Sequence, residues 1–145
     1  MCGVLGLLSL SDKYILDNIK LTESLNKLKF RGPDDIDFVN KKNIWIGHTR
    51  LSIIDLKTGK QPMISNCGRY VISFNGEIYN YKILKDKINY EFKTDSDTEV
   101  ILAGFLQYGK IFFKELEGMF AFSIVDLEEE KIIITRDRFG IKPLL

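Results

Sequence analysis

Short apolar runs separated by polar turns recur along this 145-residue sequence and restrict its fold more than any other feature. The clearest case lies near the carboxyl end. There, residues 120–125 alternate Phe or Ile with other side chains, residues 126–130 are mostly acidic, and residues 131–135 resume a strand-like run. Two apolar runs joined by a short polar segment are typical of paired strands. The pattern therefore predicts a β-hairpin over residues 120–135.

The remaining apolar runs and turn signals predict further strands and helices. Strands are expected over residues 2–10, 38–39, 44–48 and 70–74. Helices are expected from a cap at Ser11 or Asp12 to about Lys29, over residues 79–88, and from residues 96–99 to about Gly109. At the start of the last helix, Ser96 is expected to accept from the Glu99 amide while the Glu99 side chain reaches back. Hairpin-like pairs with inserted helices, rather than a regular βαβ alternation, indicate an α+β fold.

Asn75 and Gly76 follow the run over residues 70–74 directly. An Asn-Gly pair after a strand has the composition of a two-residue hairpin turn. This position therefore predicts a tight bend.

The charge and cysteine content exclude several classes of protein. With 21 Lys and Arg against 20 Asp and Glu, the formal charge is +1, so no strong field attracts nucleic acid or an anionic membrane. The chain contains no apolar run near the roughly 20 residues of a membrane helix, and residues 4–10 lack the flanks of a secretory signal. Cys2 and Cys67 are too few for a disulfide framework, and no Cys/His cluster predicts a metal site. We expect one reduced, cytoplasmic domain over residues 1–145.

The position of Cys2 gives it potential chemistry. If Met1 is removed during maturation, Cys2 carries both a thiol of pKa about 8.5 and an α-amine of pKa about 7.7–8.0. The amine can take the thiol proton, and the resulting thiolate is a nucleophile. A cysteine at this position is also compatible with an ordinary buried small residue, and the position alone leaves both interpretations open.

Eight segments, in order, resemble the class II glutamine amidotransferases, and within them the glutaminase domain of asparagine synthase. The segments are MCGVLG (1–6), RGPDD (31–35), HTRLSIIDL (48–56), GKQPM (59–63), SFNGEIYN (73–80), TDSDTEVIL (94–102), GMFAFSIVD (118–126) and RDRFGIKPL (136–144). The resemblance implies the N-terminal-nucleophile hydrolase fold, an αββα sandwich of antiparallel sheets. It also implies that the carboxyl-terminal part of the glutaminase domain and a synthetase domain are absent from residues 1–145.

The resemblance assigns the catalytic roles to three residues. Cys2 would attack the side-chain amide of glutamine, form a γ-glutamyl thioester and release ammonia, and hydrolysis would then give glutamate. The Asn75 side chain and the Gly76 amide would form the oxyanion hole that holds the developing negative charge.

Substrate binding is assigned to seven further positions. Arg50 would hold the α-carboxylate of glutamine through its planar fork of donors. Asp97 would accept the α-ammonium, and its position at a helix start is expected to favour its charged form. The remaining pocket residues would be Leu51, Ser52, Ile53, Ile54 and Glu77, with Ile53 and Ile54 the more direct contacts.

The single histidine raises an alternative mechanism, a Cys–His dyad. His48 lies inside the segment HTRLSIIDL, and the resemblance gives it a structural role at a strand end rather than that of a base. Residues 31–34 are expected to order a loop near the site, and Cys67 to be an ordinary thiol.

The resemblance also implies partners for this chain. Glutamine would be the substrate, and an ATP-dependent synthetase domain or chain would use the ammonia to make asparagine from aspartate. ATP and Mg²⁺ are expected only there, with no cofactor or metal in this chain, and a homodimer is left open for the full-length enzyme. Three alternatives stay open: a non-enzymatic or partner-dependent remnant, an amidotransferase domain serving another acceptor, and an amide hydrolase with a different substrate.

Overall fold

A computed structural model describes residues 1–9 and 17–145 and contains two antiparallel β-sheets. The first sheet has the order β1-β3-β2, formed by β1 (Gly3–Leu8), β2 (Asp35–Lys41) and β3 (Ile44–Arg50). The second has the order β4-β5-β6-β7, formed by β4 (Met63–Ile64), β5 (Tyr70–Ile78), β6 (Gly118–Asp126) and β7 (Lys131–Arg136). The predicted hairpin over residues 120–135 is confirmed as β6 and β7.

The helices cover the outer faces of the two sheets. α1 (Asn18–Asn26) contacts β1 and β3, whereas α2 (Tyr81–Lys85) and α3 (Asp97–Tyr108) lie on the side of β5, followed by a 3₁₀ helix, Gly109–Glu115. Apolar side chains from both sheets meet between them: Ile44, Ile46, Val71, Val125 and Leu127. A larger core lies between α3 and the second sheet. Helix, sheet, sheet and helix follow one another, so the predicted α+β fold and αββα arrangement are confirmed.

Side-chain alternation along β5 decides which groups face which layer. Val71 packs in the core between the sheets, whereas Ile72 and Phe74 pack in the core beside α3. Since successive residues of a strand point to opposite faces, Ser73 and Asn75 face the first sheet. The sequence of β5 thus directs its polar side chains toward the sheet that begins directly after Cys2.

The predicted bend at Asn75 and Gly76 is wrong. Both residues lie inside β5, where Asn75 is opposite Ala121 and Gly76 is opposite Phe120. Glycine is required at position 76 because the β6 backbone passes close by: an added Cβ would overlap the carbonyl oxygen of Met119 and lie 2.7 Å from Cα of Phe120.

Several predicted boundaries also differ. The expected helix caps at Ser11 and Asp12 lie outside the described residues, and α1 begins after Asp17, whose carboxylate accepts from the amides of Ile19 and Lys20. β1 ends at Leu8 and is only partly buried, because it lies at the edge of its sheet. Among the described residues, none of the helices combines the length and apolar character that a membrane crossing requires.

The predicted capping box at α3 forms only in part. Ser96 accepts from the Thr98 amide at 3.1 Å rather than from Glu99. The Glu99 carboxylate instead accepts from the amides of Lys93 and Thr94, at 3.0 and 2.7 Å. Glu99 therefore holds the segment that leads into α3.

Candidate active site

A cavity of about 120 Å³ lies where the two sheets and the start of α3 meet. Every predicted site residue except Ser52 lines it: Cys2, Arg50, Leu51, Ile53, Ile54, Asn75, Gly76, Glu77 and Asp97. The Ser52 amide instead donates to the Asp34 carboxylate at 2.7 Å, which ties the RGPDD segment to the loop after β3. These residues come from four separate parts of the sequence, so their convergence depends on the tertiary fold.

Cys2 is held from both sides at the entrance to β1. The Leu51 amide donates to the Cys2 sulfur at 3.4 Å, and Nε of Arg31 donates to the Cys2 carbonyl at 3.1 Å. The amide of Gly3 donates to the Thr49 hydroxyl at 3.1 Å. An N–H group directed at sulfur stabilises negative charge there. Arg31 thus orders the residues at the site, as expected for its segment.

One edge of β5 presents backbone donors to the cavity. The Phe74 amide donates to the Gln61 side chain at 2.7 Å, and the Ile78 amide donates to Asp97 at 3.0 Å. Alternate residues of an antiparallel strand direct their N–H groups to the same edge, so the Gly76 amide, midway between them, points the same way. The backbone of Phe120, opposite Gly76, bonds to Asp137 on its other side. Its carbonyl accepts from the Asp137 amide at 2.7 Å, and its amide donates to the Asp137 carboxylate at 3.2 Å. The Gly76 N–H therefore points away from β6 and toward the cavity that Gly76 lines.

The guanidinium of Arg50 is buried, with the residue only 6% exposed. Its Nη2 donates to the carbonyls of Ile54 and Asp55, at 3.2 and 2.5 Å. Gly59 permits this placement, since a Cβ there would lie 2.8 Å from Nη2. Within residues 1–9 and 17–145, no carboxylate forms an ion pair with Arg50. A buried cation without a protein anion is suited to bind an anionic ligand group.

Asp97 is the first residue of α3 and is 4% exposed. Burial raises its pKa to about 6, and the charge of Glu77 adds to the rise, while hydrogen bonds from the Ile78 and Thr98 amides oppose it. The amides at the helix start favour the charged form, as predicted, but the effect of burial on the pKa is larger. A cationic ligand beside Asp97 would lower its pKa and stabilise the charged form.

His48 is fully buried inside β3, so its predicted place at a strand end is wrong. Burial, with the positive charge of Arg50, lowers the pKa of His48 to about 3. Its Nδ1 lies 2.9 Å from the Ser73 hydroxyl. The imidazole is thus neutral and engaged with β5, which does not support a Cys–His dyad and fits a structural role.

Sequence reasoning missed the role of Gln61. Its side chain accepts from the Phe74 amide and donates to the Thr98 hydroxyl at 3.2 Å, so it joins β5 to α3 at the cavity wall. Its position in the segment GKQPM was the available signal, but that segment alone does not reveal which strand it contacts. Cys67 is exposed and both cysteines are free. In the described part of the chain, no three His, Cys, Asp or Glu side chains cluster as a metal site would require.

Comparison of the sequence with known proteins shows which family this chain belongs to. The pattern of the glutamine amidotransferase domain family matches residues 1–145. Asparagine synthetase [glutamine-hydrolyzing] 2 of Arabidopsis thaliana is 37% identical over 145 residues, covering 99% of this chain and 25% of the relative. Its namesake in Bacillus subtilis is 39% identical over 152 residues, with coverage of 99% and 20%. Asparagine synthetase B [glutamine-hydrolyzing] of Escherichia coli is 37% identical over 146 residues, with coverage of 99% and 26%.

A solved structure extends the comparison to the fold. Glutamine phosphoribosylpyrophosphate amidotransferase of B. subtilis superposes with a TM-score of 0.54 and 27% identity. The match covers 67% of this chain and 24% of that structure. The N-terminal-nucleophile hydrolase fold is confirmed, and the chain spans about a quarter of the length of the curated relatives it matches.

Proposed function

This chain belongs to the glutamine amidotransferase domain family, and we propose that it cleaves the side-chain amide of glutamine to glutamate and ammonia. One observation carries the proposal: a sulfur, two amide groups, a buried cation and a buried carboxylate line the same cavity. Glutamine has a carboxamide at one end and an α-ammonium and α-carboxylate at the other. The cavity offers a complementary group for each.

The two charged groups on the α-carbon of the substrate are held by different layers of the fold. Arg50, from β3, pairs with the α-carboxylate, since its guanidinium has no carboxylate partner within the described residues. Asp97, from the start of α3, accepts the α-ammonium. The side chain of glutamine then extends toward Cys2 and β5.

Removal of Met1 prepares the nucleophile. Met1 lines the cavity beside Cys2, and its loss both frees the Cys2 α-amine and leaves room for substrate. The amine takes the thiol proton, and the thiolate attacks the carboxamide carbon of glutamine. The negative charge moves to the carboxamide oxygen, where the Asn75 side chain and the Gly76 amide donate to it. One such donor contributes roughly 10²–10³ in rate.

Breakdown of this adduct releases ammonia. The protonated amine of Cys2 gives its proton to the leaving nitrogen, the C–N bond breaks, and a γ-glutamyl thioester remains on the sulfur. The amine next takes a proton from water, whose oxygen attacks the thioester carbon. The C–S bond then breaks, glutamate leaves, and the thiol is regenerated.

We further propose that the ammonia supplies an ATP-dependent synthetase that makes asparagine from aspartate. This rests on the relatives named above as glutamine-hydrolyzing asparagine synthetases, of which this chain spans about a quarter. ATP and Mg²⁺ would act in the synthetase part rather than in this chain. A reactive thiol at Cys2 needs a reducing compartment, which supports a cytoplasmic location.

A glutaminase assay of the purified chain tests the proposal. The parent should release equal amounts of ammonia and glutamate from L-glutamine, and Cys2→Ala should release neither while still binding glutamine. Cys67→Ala is the matched control, because Cys67 is exposed and outside the cavity, and it should retain parental turnover. Ammonia release by Cys2→Ala at the parental rate would contradict the mechanism.

A further inference from the structure

The buried contact between His48 and Ser73 lies close to the site but touches none of the reacting atoms. We infer that this hydrogen bond sets the position of the Asn75 and Gly76 donors relative to the Cys2 sulfur. His48 and Ser73 would then be positioning residues for amide cleavage. The inference rests on the proposed function and adds two residues to it.

The two halves of the catalytic site belong to different sheets. Cys2 is held by groups in and after β3, through Thr49 and Leu51, and it leads into β1 of the first sheet. Asn75 and Gly76 lie in β5 of the second sheet. The ladder of hydrogen bonds inside either sheet cannot fix the separation between these halves. That separation depends on how one sheet packs on the other.

Most of the packing between the sheets gives little directional control. The core there consists of aliphatic side chains: Ile44, Ile46, Val71, Val125 and Leu127. The free energy gained by apolar burial is roughly proportional to the area buried and does not depend on direction. A hydrogen bond in a dry interior, in contrast, requires a particular distance and angle.

The His48–Ser73 contact has the place and the burial for such control. Nδ1 of His48 lies 2.9 Å from the Ser73 hydroxyl, and both residues are 0% exposed. His48 precedes Arg50 by two positions on β3, and Ser73 precedes Asn75 by two positions on β5, so each pair shares a strand face. The contact therefore lies two positions from Arg50 along β3 and two positions from Asn75 along β5, and both of these residues line the cavity.

The ring of His48 depends on this one contact for its orientation. Within residues 1–9 and 17–145, no group hydrogen-bonds to its Nε2. Loss of the Ser73 hydroxyl leaves the imidazole buried without any polar partner. The two strands are then free to shift relative to each other by up to about 1 Å.

A second polar link between the layers provides a control. Lys42 and Asn43, in the turn between β2 and β3, donate to the Glu130 carboxylate before β7 at 2.9 and 3.0 Å. None of these three residues lines the cavity. Breaking this link perturbs the contact between the layers without disturbing the strand segments next to the site.

The test compares Ser73→Ala with the double variant His48→Leu/Ser73→Ala, both made in a Cys67→Ala background. Ser73→Ala should unfold at lower urea concentration, because it leaves a buried polar group unpaired. The double variant should regain the parental midpoint, since replacing both partners by apolar groups is nearly neutral. Yet kcat for glutamine should stay about 10- to 100-fold below the parental value in both variants. A misplacement of catalytic groups by about 1 Å can lower the rate 10²-fold.

Three further measurements separate positioning from a general loss of structure. The rate of Cys2 alkylation by iodoacetamide should remain parental in both variants, because the contacts of Cys2 with residues 31–51 are intact. The single variant His48→Asn, which keeps an amide near the place of Nδ1 and retains Ser73, should keep most of the parental kcat. Lys42→Met/Glu130→Met, which removes both contacts of this link, should keep the parental kcat.

The outcomes distinguish this inference from the proposal beneath it. A double variant with both parental stability and parental kcat overturns the positioning role alone, and so does Ser73→Ala with parental kcat if the double variant does not fold. A parent chain that releases no ammonia, with Met1 removed and Cys2 alkylated normally, overturns the proposed function and this inference with it.

Discussion

Arg50 and Asp97, both within the described part of the chain, line one cavity without forming an ion pair with each other. One comes from a strand of the first sheet and the other from the helix packed on the second. A buried cation and a buried carboxylate that do not neutralise each other leave both charges available to a zwitterion. An α-amino acid has the matching pair.

Replacing Arg50 should weaken substrate binding more than turnover. Arg50→Ala should raise KM for glutamine about 10- to 100-fold, the range expected for a charged hydrogen bond of about 1.5–3 kcal/mol, with a smaller effect on kcat. A substrate without the α-carboxylate, γ-aminobutyramide, provides the control. Parent and variant should cleave it with similar kcat/KM. If Arg50→Ala lowered kcat/KM for this substrate as much as for glutamine, that result would argue against a carboxylate contact.

The binding of glutamine should depend on pH through Asp97. Its carboxyl has a pKa of about 6, so it is protonated below that pH and cannot pair with the α-ammonium. KM should rise as pH falls from 7 to 5, and Asp97→Asn should show a high KM that changes little over this range. A parental KM that is constant between pH 7 and pH 5 would remove Asp97 from this role.

The same carboxyl should affect stability without ligand. Its pKa rises from 3.8 when unfolded to about 6 when folded, so the folded state binds more protons between these values. The contribution of Asp97 is therefore unfavourable above about pH 6, and this cost disappears as pH falls through the unfolded value. Asp97→Asn should be more stable than the parent toward urea at pH 7, with the difference smaller at pH 4.5. An equal or larger gain at pH 4.5 would contradict this assignment.

Asn75 should act on the rate of the chemical step. Asn75→Ala should lower kcat roughly 10²- to 10³-fold with little change in KM, as expected when one oxyanion donor is removed. Asn66→Ala serves as control, because Asn66 is exposed and outside the cavity. If Asn75→Ala changed KM and left kcat intact, Asn75 would be a binding residue rather than an oxyanion donor.

Local patterns predicted the parts of this structure that depend on neighbours in sequence. The β6–β7 hairpin was predictable because both strands and their turn lie within residues 118–136. Asn75 and Gly76 were misread as a bend, because the same pair suits a turn locally. Only the pairing with β6, more than 40 positions along the chain, shows that Gly76 is needed for close backbone approach.

The charge state of Asp97 was less predictable from the sequence than the set of residues that form the site. The order of eight segments indicated which residues belong together, and the structure places all but Ser52 around one cavity. The sequence could not reveal that burial raises the pKa of Asp97, since burial depends on elements distant in the chain. The His48–Ser73 contact was hidden for the same reason, because it joins two sheets whose packing no local pattern specifies.

The identity of the nucleophile is tested most directly by the intact mass of the chain, quenched in acid during turnover of L-glutamine. The account predicts a protein that lacks Met1 and carries a γ-glutamyl group, located on Cys2 by peptide mapping and absent from Cys2→Ala. Turnover by a chain that keeps Met1, or a γ-glutamyl group on any other residue, would contradict it.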